Sequence, residues 1–316
     1  MVWIRRIITG FAALILLLWV GMAIYAYWPQ EPGVPAAELA GPEDRFIEAD
    51  GMQLRYRTWG KPVPGQSPIV LIHGFANSVQ TWRDLGPALA DDYYVIALDM
   101  PGFGLSDKPD DRDYSNASQG AAVVAFIEAL NLDSAIVGGH SMGGALALHV
   151  AEQSDKVTGM IMFNPGIITT GVPAITEYQT FPMHRLSART FADRNFRANF
   201  LRASYLRPEI ITEDVIDDVM LGTKTDDYWT GTTRMMQFYE AGNEVEMLAD
   251  LRIPTLIVWG TEDKNKPDGE AEKLNELFPV SRLALIPDAA HYVQEEKPLE
   301  SAAAIIDAKD FWAAAR

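Results

Sequence analysis

Short apolar runs separated by segments of helical length recur through most of the 316-residue chain, and that alternation constrains the fold more than any other feature. Runs Met52 to Trp59, Pro68 to His73, Tyr93 to Asp99, Ser134 to Gly138, Val157 to Phe163, Pro254 to Trp259 and Arg282 to Ile286 read as strands. Between them, Thr81 to Ala90, Ala117 to Leu130, Gly144 to Gln153, Asp268 to Phe278 and Lys297 to Ala315 read as helices. Strands apolar along their whole length are buried on both faces. The expected fold class is therefore α/β, a mostly parallel sheet covered by helices on both faces. One interval breaks the pattern. From 167 to 251 no strand is expected, and helix-like stretches rich in Phe, Tyr, Met, Arg and Asp suit a helical cap, inserted into a core that spans 45–166 and 252–316.

The first 30 residues are of another kind. No charge occurs from Ile7 to Gln30, and as a helix rising about 1.5 Å per residue the run crosses a hydrocarbon core of about 30 Å. Trp3, Trp19, Tyr25, Tyr27 and Trp28 lie mostly towards its ends, where amphipathic rings favour a membrane interface. Arg5 and Arg6 precede the run, while Glu31, Glu38, Glu43 and Asp44 follow it. The positive-inside rule then predicts a single-pass membrane anchor over 1–30, with the rest on the exported, periplasmic or extracytoplasmic side. The alternative is a cleaved signal peptide and a secreted protein, but the run exceeds a typical h-region and no A-x-A site closes it. Residues 31–44, rich in proline and acids, are expected to form a solvated linker.

Charge and cysteine count exclude several classes. With 43 acidic against 26 basic residues the net charge is −17, which should repel nucleic acid and argues against such a partner. The chain has no cysteine, so disulfides, thiolate metal sites and a cysteine nucleophile are all excluded.

The sharpest chemical signal is Ala135-Ile136-Val137-Gly138-Gly139-His140-Ser141-Met142-Gly143-Gly144, followed by helical Ala145 to Leu148. It holds G-x-S-x-G in the setting that motif requires, a buried strand before and a helix after. A serine on so tight a turn needs neighbours without side chains two positions to either side. A hydroxyl is a weak nucleophile until a base takes its proton. Of the five histidines, His73 ends a strand, His140 adjoins the serine, His149 lies on the following helix and His184 in the cap. Only His291 lies in a loop after the last strand, and the chain order Ser, Asp, His fits it. Asp263, just beyond the strand ending at Trp259, is placed to orient that imidazole, ahead of Glu262, Asp268 and Asp288. The strand ending at Phe163 is followed by Asn164 and not by an acid. Two backbone N–H groups are expected to form an oxyanion hole, that of Met142 and that of Phe75 in the loop after Leu71-Ile72-His73-Gly74.

With these residues in hand, the chain from about Phe46 onward resembles the α/β-hydrolase superfamily. The matching segments are HGFANSVQTW at 73–82, DMPGFGLSDKP at 99–109, GHSMGG at 139–144, WGTEDKNKP at 259–267 and AAHYVQEEKP at 289–298. The segment from Asp99 is similar to epoxide hydrolases and haloalkane dehalogenases, whose nucleophile is an aspartate, but Ser141 stands in that place here. An N-terminal anchor joined to GHSMGG most resembles membrane-tethered monoacylglycerol lipases and esterases. The resemblance implies a serine hydrolase that cleaves lipid-like or medium-chain monoesters through an acyl-enzyme, with Ser141, Asp263 and His291 as triad. It needs no metal and no organic cofactor. Its partners are a small ester or lipid substrate and, through the N-terminal helix, a membrane. A carbon–carbon bond hydrolase of diketone-like substrates, using the same triad, is the alternative.

Two further cap features bear on substrate. Arg185, Arg189, Arg194, Arg197, Arg202 and Arg207 form either a face paired with acids in the cap or a patch for anionic lipid headgroups. Phe181, Phe191, Phe196, Phe200, Tyr205, Met220, Tyr228, Trp229, Met235, Met236, Phe238 and Tyr239 are more large apolar groups than a small helical layer needs, so some are expected to line an acyl tunnel.

Overall fold

The computed structural model describes residues 2–171, 180–238 and 244–313. Its sheet has eight strands, β1 (Arg45–Ala49), β2 (Met52–Trp59), β3 (Ile69–Ile72), β4 (Val95–Leu98), β5 (Ala135–His140), β6 (Val157–Phe163), β7 (Thr255–Gly260) and β8 (Ser281–Ile286). The order is β1-β2-β4-β3-β5-β6-β7-β8. Pairing is antiparallel at β1–β2 and β2–β4 and parallel from β4 onward. Alternation along each strand divides the core between the two faces. Val70 and Ile72 of β3, with Ile96 and Leu98 of β4, pack under the helices Asn116–Ala129 and Met142–Gln153. Ile69 and Leu71, with Val95 and Ala97, pack on the other face with Trp82, Leu85 and Ile305.

Strand β1 was not expected from the apolar pattern, because R-F-I-E-A carries two charges in five residues. Its signal was the turn. Asp50 and Gly51 both have positive φ, 53° and 73°, the two-residue reversal that Asp-Gly favours between hairpin strands. The expected helix from Thr81 divides into a tight turn Val79–Trp82 and a helix Leu85–Leu89, which leaves Pro87 in a first turn where no N–H is required. The last helix begins at Pro298 and breaks after Asp307, and Lys309–Ala313 is a separate turn.

The described residues between β6 and β7 contain helices and no strand, chiefly Met183–Ala192, Arg194–Arg202, Glu213–Val219 and Thr233–Phe238. Asp193 separates the first two, accepting the Phe196 N–H at 2.8 Å as the N-cap of the second. Their own apolar cluster includes Leu201, Tyr205, Ile216 and Val219, and it takes in Tyr292 from the loop after β8.

The N-terminal helix Val2–Ala26 is 25 residues long, apolar, and exposed along nearly all its length. Its last turns meet the helices between β6 and β7, called the cap from here on. Trp19 and Tyr27 lie 5.4 and 5.3 Å from the Phe181 ring, and the Arg189 guanidinium sits 4.3 Å over Tyr25. The expected solvated linker is instead docked. Val34 N–H donates to Lys224 O at 3.0 Å and its carbonyl accepts from Asp226 N at 3.1 Å. The Asp44 side chain is buried, with Oδ1 2.8 Å from Arg55 Nε and 2.6 Å from Arg57 Nε. The physical reason is Arg55. Its side chain is fully buried on β2, and a buried cation requires acids around it, here Asp44 and Asp99.

Candidate active site

Strand β5 leads straight into the helix Met142–Gln153, and Ser141 forms the joint with φ 51° and ψ −116°. That conformation is sparsely populated for a residue with a side chain and persists only where the surroundings enforce it. The enforcement is close packing of backbone. A Cβ on Gly139 would lie 2.0 Å from Gly143 O, and one on Gly143 would lie 2.2 Å from Ile72 O. The Ser141 N–H donates to Phe163 O at 3.1 Å, and the Ser141 carbonyl accepts from Gly144 and Gly166 at 3.0 and 2.8 Å. Met142 is the first helical residue, so its N–H has no acceptor within the helix.

Asp263 and His291 meet at the carboxyl ends of the strands. His291 Nδ1 lies 2.7 Å from Asp263 Oδ2. A carboxylate can only accept, so Nδ1 carries a proton, and in the neutral ring Nε2 is then the nitrogen with the lone pair. Asp263 Oδ1 accepts from Asn265 N at 2.9 Å, and Oδ2 accepts also from Asn164 Nδ2 at 2.9 Å. Burial pushes the Asp263 carboxyl up, but the hydrogen bond and charge of His291, with the donors from Asn265 and Asn164, hold it below its ordinary value. Asp263 is thus an anion where the imidazole needs one. Ser141 Oγ makes no hydrogen bond to His291 among the described residues, a looseness common before substrate binds. The serine and imidazole are joined through His140, whose ring centroid is 4.8 Å from that of His291 and whose Nε2 donates to His291 O at 2.9 Å. Burial, then the neighbouring His291, pushes His140 well below its ordinary value, so it stays neutral.

The remaining expected residues fall around this centre. Phe75 follows β3 and stands edge-on to Phe103 and Phe191, at 5.8 and 5.2 Å. His73 braces that loop, its Nδ1 donating to Gly74 O at 2.7 Å and its Nε2 accepting from Met100 N at 3.1 Å. Glu262 is exposed, as are Asp268 and Asp288, and none of these three bonds His291. His149 pairs instead with Glu244 at the base of the cap, 3.0 Å away.

Beneath the cap, Phe75, Phe103, Lys108, Phe191, Arg197 and Met235 line a cavity beside the Phe75 loop, although Ser141 and His291 are not among its walls. Aromatic rings continue outward from Phe191 to Phe196 and Phe200, 5.2 and 5.3 Å away and part-exposed. Tyr239 lies outside the described residues. The six cap arginines are engaged within the protein, which removes the lipid-headgroup patch as their common role. Arg194 pairs with Glu213 and Asp217, Arg202 with Glu213, Arg207 with the Glu296 carbonyl, and Arg185 with Trp229 O and Ala26 O. Arg197 is buried, and its guanidinium meets the carbonyls of Phe191 and Ala76 and the Tyr228 hydroxyl, with no carboxylate partner among the described residues.

Two contributors escaped the sequence reading. Asn164 has φ 38° directly after β6 and ties Asp263 to the strand ends, its Oδ1 accepting from Gly260 N at 3.0 Å. Its position after β6 was visible, but nothing in the sequence assigned it a partner. Glu296 was visible only as one of two adjacent acids five residues after the histidine.

An eight-stranded, mostly parallel sheet with a serine at a strained strand-to-helix joint and an Asp–His pair beyond later strands defines an α/β hydrolase. The chain belongs to the alpha/beta hydrolase fold family, whose model matches residues 67–298. It is 29% identical over 263 residues to the uncharacterized hydrolase YugF of Bacillus subtilis, a match covering 83% of this chain and 95% of that one. It is 30% identical over 279 residues to the 2-hydroxy-6-oxo-6-(2'-aminophenyl)hexa-2,4-dienoic acid hydrolase of Metapseudomonas resinovorans, covering 83% and 89%. Among solved structures, a serine hydrolase involved in carbazole degradation (CarC) superposes with TM-score 0.66 at 26% identity, covering 86% of this chain and 99% of that one. A membrane phospholipase A superposes with TM-score 0.69 over 98% of this chain and 99% of its own, and at 22% identity it shares the fold.

Proposed function

We propose that the protein is a serine hydrolase of carboxylic esters, with lipid-like or medium-chain monoesters as its substrates. Ser141 attacks the ester carbonyl while His291 Nε2 takes the hydroxyl proton, and Asp263 holds the imidazolium that results. The N–H groups of Met142 and Phe75 receive the oxyanion. The proton passes from His291 to the leaving alcohol, and water, deprotonated by the same base, then releases the acid and frees Ser141. The observation that carries this reading is Ser141 held at φ 51° beside an Asp263–His291 pair at 2.7 Å.

The row of rings from Phe103 and Phe75 through Phe191 to Phe196 and Phe200 supports an apolar acyl group. Each methylene buried along it contributes about 0.8 kcal/mol. The apolar helix Val2–Ala26 supports a single-pass anchor, with residues 167–251 as a cap and the catalytic core on the exported side. A series of p-nitrophenyl esters and monoacylglycerols tests the substrate class. kcat/KM rises with acyl length up to medium chains, and a steady decline from acetyl onward contradicts the reading.

A second reading is supported by Arg197. A buried guanidinium with no carboxylate partner among the described residues, on the wall of the cavity, favours an anionic group on the substrate. That suits a diketone-like acid, which the same triad would cleave at a carbon–carbon bond, and the Metapseudomonas relative is by its name the hydrolase of a 2-hydroxy-6-oxo dienoic acid. Product analysis on such an acid separates the two readings.

A further inference from the structure

His291 is held by more than Asp263. Its backbone N–H donates to the carbonyl of Ser204 in the cap at 3.2 Å, and its backbone carbonyl accepts from His140 on the core at 2.9 Å. Ala290, the residue before it, donates its N–H to Glu296 Oε1 at 2.9 Å. The other oxygen of the same carboxylate, Oε2, accepts the N–H groups of Leu206 and Arg207, both at 3.0 Å. Tyr292, the residue after, stacks on cap residue Tyr205 with centroids 4.4 Å apart and planes 6° from parallel. The loop carrying Asp263 is tied to the same place, since Asn265 Nδ2 donates to Ser204 Oγ at 3.1 Å.

We propose that the cap turn from Ser204 to Arg207, clamped by Glu296, sets the orientation of His291, so that catalytic competence depends on how the cap is seated. The proposal rests on His291 being the base, and Glu296 is a positioning residue, since it touches Ala290 and the cap and not the reacting atoms. The geometry has a direct consequence. If this turn lifts, His291 loses its N–H acceptor, Ala290 loses its link to the cap, and Tyr292 loses its stacking partner together. The imidazole then keeps its Nδ1 bond and its contacts with His140 and Tyr292 but no tie to the cap, and a misplacement of about 1 Å in a general base costs up to about 100-fold in rate. The cap therefore cannot open at this corner and keep the base aligned. Any opening that admits substrate leaves Ser204 to Arg207 in place.

The test uses the detergent-solubilised full chain and the variants Glu296→Gln, Tyr205→Leu and Arg57→Met. Arg57 pairs with Asp44 and Asp218 at a cap contact that bonds neither Asp263 nor His291, so its loss serves as a general weakening of cap docking. Three readouts are compared: Tm, kcat and KM on an activated ester, and the downfield NMR signal of the His291 Nδ1 proton. Glu296→Gln keeps one acceptor oxygen but turns an amide N–H₂ towards backbone N–H groups. We expect it to lower kcat about tenfold or more with KM changed less than about twofold, and to move the NMR signal. Tyr205→Leu should do the same by loosening the same turn through a different contact, so the double variant should lose less than the product of the two. Arg57→Met should lower Tm while kcat and the signal stay near wild type. An unmoved signal in Glu296→Gln, or losses that follow Tm alike in all three variants, overturns the proposal. A wild-type enzyme inactive on every ester would instead overturn the proposed function, and the NMR comparison would still decide the positioning claim.

Discussion

Asn164 Nδ2 donates to the same oxygen of Asp263 that accepts His291 Nδ1, at 2.9 and 2.7 Å, so one carboxylate oxygen is shared between a strand-end amide and the imidazole. The amide oxygen accepts the Gly260 N–H at 3.0 Å, which fixes the end of β6 to the end of β7 beneath the Asp263 loop. Replacing Asn164 with Leu leaves that buried N–H unpaired at a cost of about 1–3 kcal/mol and removes one restraint on Asp263. The expected outcome is a lower urea midpoint together with a roughly tenfold fall in kcat. An unchanged kcat in a folded variant would show that Asp263 needs no support from Asn164.

The acid limb of stability should report Asp263. Its folded value lies below the ordinary carboxylate value of about 4, so its contribution is present above that pH and is lost as pH falls through the folded value. Comparing urea midpoints of wild type and Asp263→Asn across pH, the gap should be constant above about pH 5 and narrow below about pH 4. A gap that keeps its size as the pH falls further would contradict the assignment of the anion.

Asp44 offers a test of the docked N-terminal segment. Its carboxylate bridges Arg55 and Arg57, and its removal leaves the fully buried Arg55 with Asp99 as its nearest acid. Asp44→Ala should cost about 3 kcal/mol, read from chemical denaturation. A chain starting at Gly41 should keep this network, whereas one starting at Phe46 should be much less stable. Equal stability of the two would contradict the packing described.

How legible the molecule was in its sequence follows from where the interactions lie. Strands β3 to β7 and the joint at Ser141 could be read because burial on both faces and the glycines at 139 and 143 are local demands, met within a few residues of chain. The pairing of Asp263 with His291 could be anticipated from chain order alone, since loops at the same ends of parallel strands converge. What escaped is non-local. Asn164 and Asp263 are far apart in sequence, and no periodicity marks an amide that serves another residue's carboxylate. No signal in the sequence marked a partner for Glu296, because Leu206 and Arg207 meet it from the cap. The cap arginines left two readings open, a face paired with acids or a lipid patch, because the partners that decide for pairing, among them Glu213 and Asp217, lie on another helix. Residues 31–44 looked solvated because the buried charge that holds them, Arg55, lies on β2.

The central claim is that Ser141 is the nucleophile, and covalent capture tests it most directly. The protein is treated with an organophosphonate fluoride, digested, and the adduct located by mass spectrometry, with ester turnover followed in parallel for wild type and Ser141→Ala. The account predicts a single adduct on Ser141, none in Ser141→Ala, and a fall in kcat of about 10⁴-fold or more. An adduct on another residue, or near-normal ester turnover by Ser141→Ala, would contradict it.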